Sequence, residues 1–381
     1  MDLIKNKVIP YNTQYIDKED IDSLVNLMSS GAFLTCGPKV TEFEKKICEY
    51  SGAKYGVAVS NGTAALHIAC LTLGLKKDDE VIVPAISFAA SSNCILYCGA
   101  KPVFCDIEEN TLNIDCSKIE ELITAKTKAI IAVDMGGQMC DYHKLKKICD
   151  KYNLVFIEDA AHSLGAQEKK CPHKPKVGSF ADMTTFSFHP VKNITTGEGG
   201  MVMTNNKKYY NLLKKFRSHG LSKEFKDREN SEDIQAYEYD IELLGYNYRL
   251  TDIQATLGIS QLKKIDLFMK KREEIKNYYL KELNNSKNVE CLDYKFDSAN
   301  HLFIVKVKNG KRNELYNLLK KNNIYTNVHY KPIYLFSLYQ KLGYKKGLCP
   351  VAENVYNSIL SLPIYYKLSK NDLDKIISLV K

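Results

Sequence analysis

Lys192 lies in the run Thr185-Phe186-Ser187-Phe188-His189-Pro190-Val191-Lys192-Asn193-Ile194-Thr195-Thr196-Gly197-Glu198-Gly199-Gly200, where a β-rich stretch delivers one lysine into a loop of hydroxyls and glycines. An earlier apolar run, Phe156-Ile157-Glu158-Asp159-Ala160-Ala161-His162, ends on acidic residues. An amine that forms imines and a carboxylate that holds a protonated pyridine nitrogen are the two groups pyridoxal phosphate chemistry needs. Alone, a lysine near glycines is an ordinary surface loop, and an aspartate after a strand is an ordinary helix cap. Their company changes the reading. Ser187 and Lys192 are five positions apart with Pro190 bending the chain between them, so the serine can bind phosphate while the lysine reaches the aldehyde. A lysine in low dielectric beside a cationic ring spends time unprotonated. Once freed by an incoming amine, it can carry the proton between the substrate Cα and the cofactor carbon.

Three further groups extend this set. Ser60-Asn61-Gly62-Thr63-Ala64-Ala65-Leu66 follows a strand and opens a helix. Such a turn offers free N–H groups to an anion, with Gly62 allowing close approach and Thr63 adding a hydroxyl; the same four residues also make a plain N-cap. Phe88 follows the strand that ends at Pro84 and could stack on a flat ring, although a lone phenylalanine more often belongs to the core. His162 could hydrogen-bond a ring hydroxyl or the Asp159 carboxylate.

The elements that must position these residues are legible as alternating runs. Strands are expected over residues 55–60, 80–84, 102–106, 129–134, 154–158, 183–187 and 200–204. Helices are expected over 63–73, 91–98, 116–124 and 141–151. Near-continuous apolar strands with helices between them predict an α/β fold with a mostly parallel sheet covered on both faces. In such sheets ligands bind beyond the carboxyl ends of the strands. Residues 222–240 are polar and read as an exposed excursion. Residues 251–272 read as one long amphipathic helix with Ile253, Leu257, Leu262, Ile265 and Phe268 facing inward. A strand over 300–307 and a helix over 312–322 complete a smaller α+β unit. The expected division is a large cofactor-binding domain over 1–250, with its N-terminal segment, and a small domain over 251–381.

At 381 residues the chain is long for one core, and 45% hydrophobic with 26% charged is ordinary globular composition. No apolar run approaches a membrane span, and residues 1–7 lack the apolar stretch of a secretory signal, so a cytoplasmic protein is expected. The formal net charge of +9 is spread along helix-like segments such as Lys144-Leu145-Lys146-Lys147, which fits a solvated surface and gives no reason to expect a nucleic-acid partner. The 12 cysteines are scattered, mostly in apolar runs and without a CxxC pair. Cys94 and Cys98 share a helix face, and Cys171-Pro172-His173 is too sparse for a metal. Reduced, buried thiols and no metal are expected.

Beyond these groups, the chain resembles the DegT/DnrJ-type nucleotide-sugar aminotransferases, pyridoxal phosphate enzymes of aminotransferase fold type I. Its landmarks are Leu34-Thr35-Cys36-Gly37-Pro38, Asn61-Gly62-Thr63-Ala64-Ala65-Leu66, Glu158-Asp159-Ala160-Ala161-His162, Ser187-Phe188-His189-Pro190-Val191-Lys192 and Gly245-Tyr246-Asn247-Tyr248-Arg249-Leu250-Thr251-Asp252. The resemblance implies a large domain on a mostly parallel seven-stranded sheet and a small C-terminal α+β domain. It implies Lys192 as the imine-forming lysine and Asp159 as partner of the pyridine nitrogen. It places Gly62, Thr63 and Ser187 at the phosphate, Phe88 on the ring and His162 near the ring hydroxyl. It implies a homodimer in which Asn247 reaches the phosphate at the neighbouring subunit's site, and it puts His329, in Asn327-Val328-His329-Tyr330, and Thr35 among substrate contacts.

Within that family the chain is similar to the 4-aminotransferases of the pseudaminic-acid pathway, through Ser92-Asn93-Cys94-Ile95-Leu96-Tyr97-Cys98-Gly99-Ala100 and Arg217-Ser218-His219-Gly220. Many of those relatives carry Asn-Ser-Ala-Thr-Ser in place of Ser60-Asn61-Gly62-Thr63-Ala64, and many family members carry histidine in place of Asp134. Both departures bear on the sugar rather than on the cofactor. The expectation is amino transfer from glutamate to C4 of a nucleotide-linked 4-keto-6-deoxy sugar, with a UDP-sugar favoured. A 3-aminotransferase and a non-catalytic regulator on the same scaffold are the alternatives; a 3-dehydratase of this family would carry histidine in place of Lys192.

Overall fold

The computed structural model describes residues 7–169, 172–222 and 238–381. Seven strands form the main sheet: β1 (Tyr55–Val59), β2 (Glu80–Pro84), β3 (Lys101–Cys105), β4 (Thr127–Val133), β5 (Val155–Asp159), β6 (Met183–Ser187) and β7 (Gly200–Thr204). Their order is β1-β7-β6-β5-β4-β2-β3. The pairs β6-β5, β5-β4, β4-β2 and β2-β3 are parallel, while β7 pairs antiparallel with both β1 and β6. β7 alone therefore runs backwards, and the carboxyl ends of the other six strands share one edge. Helices α1 (Lys18–Ser29), α2 (Pro38–Ser51), α3 (Gly62–Thr72), α4 (Ala90–Tyr97), α5 (Tyr142–Tyr152) and α6 (Lys207–Arg217) accompany it. The sheet's central strands are almost wholly buried, because an apolar core lies on each face. That double covering is what the continuous apolar runs require.

Two helix expectations need correction. Residues 116–124 are two 3-10 turns, Cys116–Lys118 and Glu120–Leu122, separated at Ile119. Asp115 caps the first turn by accepting from Ser117 N, and the second turn stops where Ile123 goes extended (φ −75°, ψ 127°). Residues 251–272 are not one helix. α7 (Asp252–Leu262) ends at Lys263, and α8 (Ile265–Leu283) begins after Lys264. Lys264 is held there by Asp17 (2.8 Å) and Asp20 (2.6 Å) of the α1 cap, which redirects the chain. Ile265 and Phe268 are buried as expected, but Ile253, Leu257 and Leu262 are half-buried. The inward positions of α7 are instead small, Ala255 and Gly258; a Cβ on Gly258 would lie 2.7 Å from the Phe43 ring. Close helix packing replaces large apolar side chains. The excursion expected over 222–240 falls almost wholly outside the described residues.

A second, antiparallel sheet has the order β10-β9-β8, from β8 (Val289–Cys291), β9 (Phe303–Val307) and β10 (Ile359–Leu362). α8, α9 (Arg312–Lys321) and the helix Lys370–Val380 cover it with Ile275, Tyr279, Leu315, Leu319 and Ile376. Ile9 lies in this same core and bridges to Ile324, so the early segment is woven into the smaller sheet's unit. One of the two cores flanking the main sheet also includes Leu302 and Ile304 along with Met135, which joins the two sheets through apolar contact. Among the described residues no helix is long and apolar enough to cross a membrane. The described cysteines are free thiols, mostly buried. Burial pushes the thiols of Cys48, Cys116, Cys149 and Cys349 up to about 12, so they stay protonated.

Candidate active site

The shared edge of the sheet gathers most of the expected site residues. β1 turns directly into α3. Asn61 caps that helix by accepting from Ala64 N (2.8 Å), which leaves Gly62 and Thr63 as its first turn. A Cβ on Gly62 would lie 2.8 Å from Ser187 Cβ, so the start of α3 and the end of β6 touch. Gly200, opening β7, packs still closer: a Cβ there would sit 2.4 Å from the Asn61 carbonyl oxygen. Backbone cannot yield as a side-chain tip can. Gly200→Ala should therefore cost about 1–3 kcal/mol, checked by denaturant unfolding; an unchanged midpoint would contradict this packing.

β6 leaves the sheet at Ser187, and the Lys192 loop is tied on several sides. Phe188 is buried and its N–H donates to Gly199 O (2.8 Å). Lys192 N donates to His189 O (2.8 Å), Asn12 Nδ2 to Val191 O (2.9 Å) and Asn193 Nδ2 to Leu164 O (2.7 Å). Lys192 itself is half-buried. Burial lowers its amine to about 8, and the Asp159 carboxylate opposes the fall. A usable fraction is thus neutral near neutral pH.

Asp159 closes β5 and is buried. Its Oδ2 accepts from Ser91 Oγ (2.6 Å) and its Oδ1 from Ala161 N (3.2 Å). Ser91 is in turn within 2.7 Å of Ser87 Oγ. Burial raises the carboxyl, while Ser91, the Ala161 amide and Lys192 favour its charge. His162 is buried, its ring stacked on His301 at 4.5 Å and 26°, with Nε2 3.3 Å from the Tyr330 hydroxyl. Burial and the Lys192 charge keep it neutral, well below the usual histidine range. Its Nδ1 is buried without a protein partner. The exposed Phe88 ring faces Tyr330 at 6.2 Å. His329 is buried on Ser361 Oγ (2.8 Å) and pushed down to about 3 by burial and Lys192.

Two expected residues stand apart. Asn247 is exposed and bridges Ser218; Thr35 is exposed and bridges Thr251. Among the described residues, no hydrogen bond or ring contact links either to Lys192, Asp159 or His162. Thr35 lines a separate open cavity of about 670 Å³ with Phe33 and Arg249.

Several participants carried no readable signal. Ser91 looked like a helix start, and only the fold brings it to Asp159. Arg272 sits inside α8, buried, donating to Ile364 O (3.0 Å), His301 O (3.2 Å), Asn300 O (3.4 Å) and Asn12 Oδ1 (3.3 Å). Burial lowers it to about 10. It fastens the segment carrying His301, just ahead of β9, to the segment whose Asn12 braces the lysine loop.

A family model described as the DegT/DnrJ/EryC1/StrS aminotransferase family matches residues 14–381. The chain is 39% identical to a UDP-4-amino-4,6-dideoxy-N-acetyl-beta-L-altrosamine transaminase of Campylobacter jejuni, over 96% of this chain and 94% of that one. Among solved structures it resembles Helicobacter pylori PseC, an aminotransferase involved in the biosynthesis of pseudoaminic acid, at TM-score 0.90 and 34% identity, covering 98% of both chains. It also resembles the PMP-form of the putative sugar aminotransferase Spr1654 from Streptococcus pneumoniae, at TM-score 0.91 and 33% identity, again covering 98% of both.

Proposed function

Because the chain belongs to the DegT/DnrJ/EryC1/StrS aminotransferase family, with pyridoxal phosphate as its cofactor, we propose that it transfers an amino group from glutamate to C4 of a nucleotide-linked 4-keto-6-deoxy sugar, a UDP-sugar by preference. The observation that carries the chemistry is the pair at the sheet edge: a lysine with a lowered pKa beside a buried aspartate. The residues present fit the cofactor. Asp159 is a buried carboxylate with only a hydroxyl and an amide as hydrogen-bond donors, and His162 offers an unpartnered ring nitrogen. Gly62, beside Thr63 in the first turn of α3, meets Ser187 at the end of β6 so closely that an added methyl would not fit. The bound cofactor supplies a carbonyl that takes up the amino group and a ring that stores the electron pair.

The chain's own residues do the rest. Gly62, Thr63 and Ser187 hold the phosphate at the amino end of α3. Asp159 holds the proton on the pyridine nitrogen. Phe88 and the neighbouring Tyr330 would flank the ring. Lys192 Nζ moves the proton at the substrate carbon, a task suited to an amine titrating near neutrality. The likeness to the C. jejuni transaminase over nearly the whole chain supports the UDP-sugar and C4 reading. Product analysis by mass spectrometry, with a panel of UDP-, dTDP- and GDP-linked 4-keto-6-deoxy sugars and glutamate, tests it. Amination at C3, or of no nucleotide sugar, would overturn it.

The same reading includes a homodimer of shared sites. Asn247 is exposed on its own subunit and is assigned to the neighbour's phosphate. Such an obligate interface should bury about 2,000 Å² or more. Mixing Lys192→Ala chains with Asn247→Asp chains should restore activity, because one hybrid site combines an intact lysine with an intact asparagine. A fully active monomer in sedimentation would contradict this placement.

A further inference from the structure

On the face of β5 opposite Asp159 lies a buried acidic group that the reaction does not use. Successive strand residues point to opposite faces, so Glu158 is turned away from the site. Glu158, Asp134 and Tyr142 are all buried. The Tyr142 hydroxyl lies 2.6 Å from Asp134 Oδ2 and also contacts Glu158 Oε1. Thr184 Oγ1 donates to Glu158 Oε2 (2.6 Å). Ser163 Oγ donates to Asp134 Oδ2 (2.6 Å) and Cys140 N to Asp134 Oδ1 (3.0 Å). No lysine or arginine among the described residues forms an ion pair with either carboxyl.

A hydroxyl carries one hydrogen, yet this one meets two carboxyl oxygens. Two ionised carboxylates sharing it in a dry interior would repel without compensation. One carboxyl must carry a proton and donate it to the tyrosine oxygen. Asp134 has three donors aimed at it, from Tyr142, Ser163 and Cys140, and is the better site for the charge. We propose that Glu158 is a carboxylic acid donating to Tyr142, that Tyr142 donates to an ionised Asp134, and that Asp134 is a positioning residue for the active site. Burial raises both carboxyls, in keeping with a proton kept between them.

Asp134 is well placed for that role. Its N–H donates to Asp159 O (3.2 Å), and its carboxylate holds Ser163, the neighbour of His162. Its own carbonyl accepts from Gly137 N (3.0 Å), whose oxygen accepts from Ala299 N (2.9 Å) on the segment leading to His301. A Cβ on Gly137 would lie 2.7 Å from His162 O and 3.0 Å from His301 N. The loop that begins at Asp134 is thus wedged between the two stacked histidines' backbones, and the anion anchors it.

Infrared spectroscopy of the purified protein tests the proton's position. Wild type should show the carbonyl stretch of a buried carboxylic acid, and Glu158→Gln should lose it. Survival of that band in Glu158→Gln, or no such band in wild type, would overturn the proposal. Glu158→Gln keeps a neutral donor in place, so cofactor retention and turnover should stay within a few-fold of wild type. Asp134→Asn removes the charge and should weaken cofactor retention about tenfold or more. Should that variant fail to fold, Ser163→Ala severs the same link more gently and should shift the bound cofactor's visible absorption band. Equal losses from Glu158→Gln and Asp134→Asn, or an unmoved band and undiminished retention in Ser163→Ala, would also overturn it. The positioning role rests on the proposed function, whereas the infrared result does not, so the two can fail separately.

Discussion

Replacing Lys192 with alanine should reduce amino transfer by about four orders of magnitude or more. Lys192 is the one lysine of residues 187–200, and the loop that presents it is braced from Asn12, Leu164 and Gly199. The fold should survive, since the side chain makes no hydrogen bond that holds those braces. Reduction of wild-type holoprotein with borohydride should leave a cofactor-derived mass on the peptide carrying Lys192. Labelling of another lysine, or more than a trace of activity in Lys192→Ala, would sink the assignment. The depressed amine also gives a pH expectation. Only its neutral form attacks a carbonyl, so cofactor capture by the stripped protein should quicken as pH rises through about 8 and then level off. The folded amine titrates below an unfolded lysine. Between the two values the unfolded chain binds more protons, so stability should climb with pH across that window.

Asp159→Asn should slow the reaction by about a hundredfold to a thousandfold while most of the cofactor is retained. The amide is nearly the same shape and still accepts from Ser91, but it cannot hold a proton on the pyridine nitrogen. The same substitution should stabilise the cofactor-free protein. Burial raises the Asp159 carboxyl above its unfolded value, so the folded state holds its proton longer. The wild type therefore loses stability as pH rises through the interval between the unfolded and folded values, and asparagine removes that loss. A stability gain without cofactor, coupled to a rate loss with it, marks a group kept for function. Near-normal turnover with stoichiometric cofactor would refute the role.

Much of this arrangement was legible because it lies in short range. The strand-to-turn steps at Asn61-Gly62-Thr63, Asp159 and Ser187 through Lys192 each place chemistry at a strand's carboxyl end, and the main sheet follows from seven apolar runs. What was not legible depends on contacts between distant segments. Ser91 meets Asp159 only because β2 and β5 flank β4 in the sheet. Arg272 on α8 reaches Asn12 across 260 residues, and nothing in a helical pattern announces a buried cation whose partners are backbone carbonyls. The break between α7 and α8 has the same origin: Lys264 at the break is held by Asp20 of the α1 cap, more than 240 residues away in the chain.

The seam between the earliest described residues and the smaller sheet's unit also sets an order of assembly. Ile9 pairs with Ile324, Tyr11 O accepts from Ile364 N (3.0 Å), and Lys7 meets Asp372 across 365 residues. On a ribosome adding about 5–20 residues per second, the early segment would wait roughly 20–70 s for the last of these partners. The parallel sheet can condense in that interval, but Asn12 can brace the lysine loop only when α8 and the stretch around Ile364 have emerged. The site would thus be the last part of the molecule to set, so a nascent chain stalled short of Ile364 would hold a nearly complete sheet and an unfinished catalytic loop.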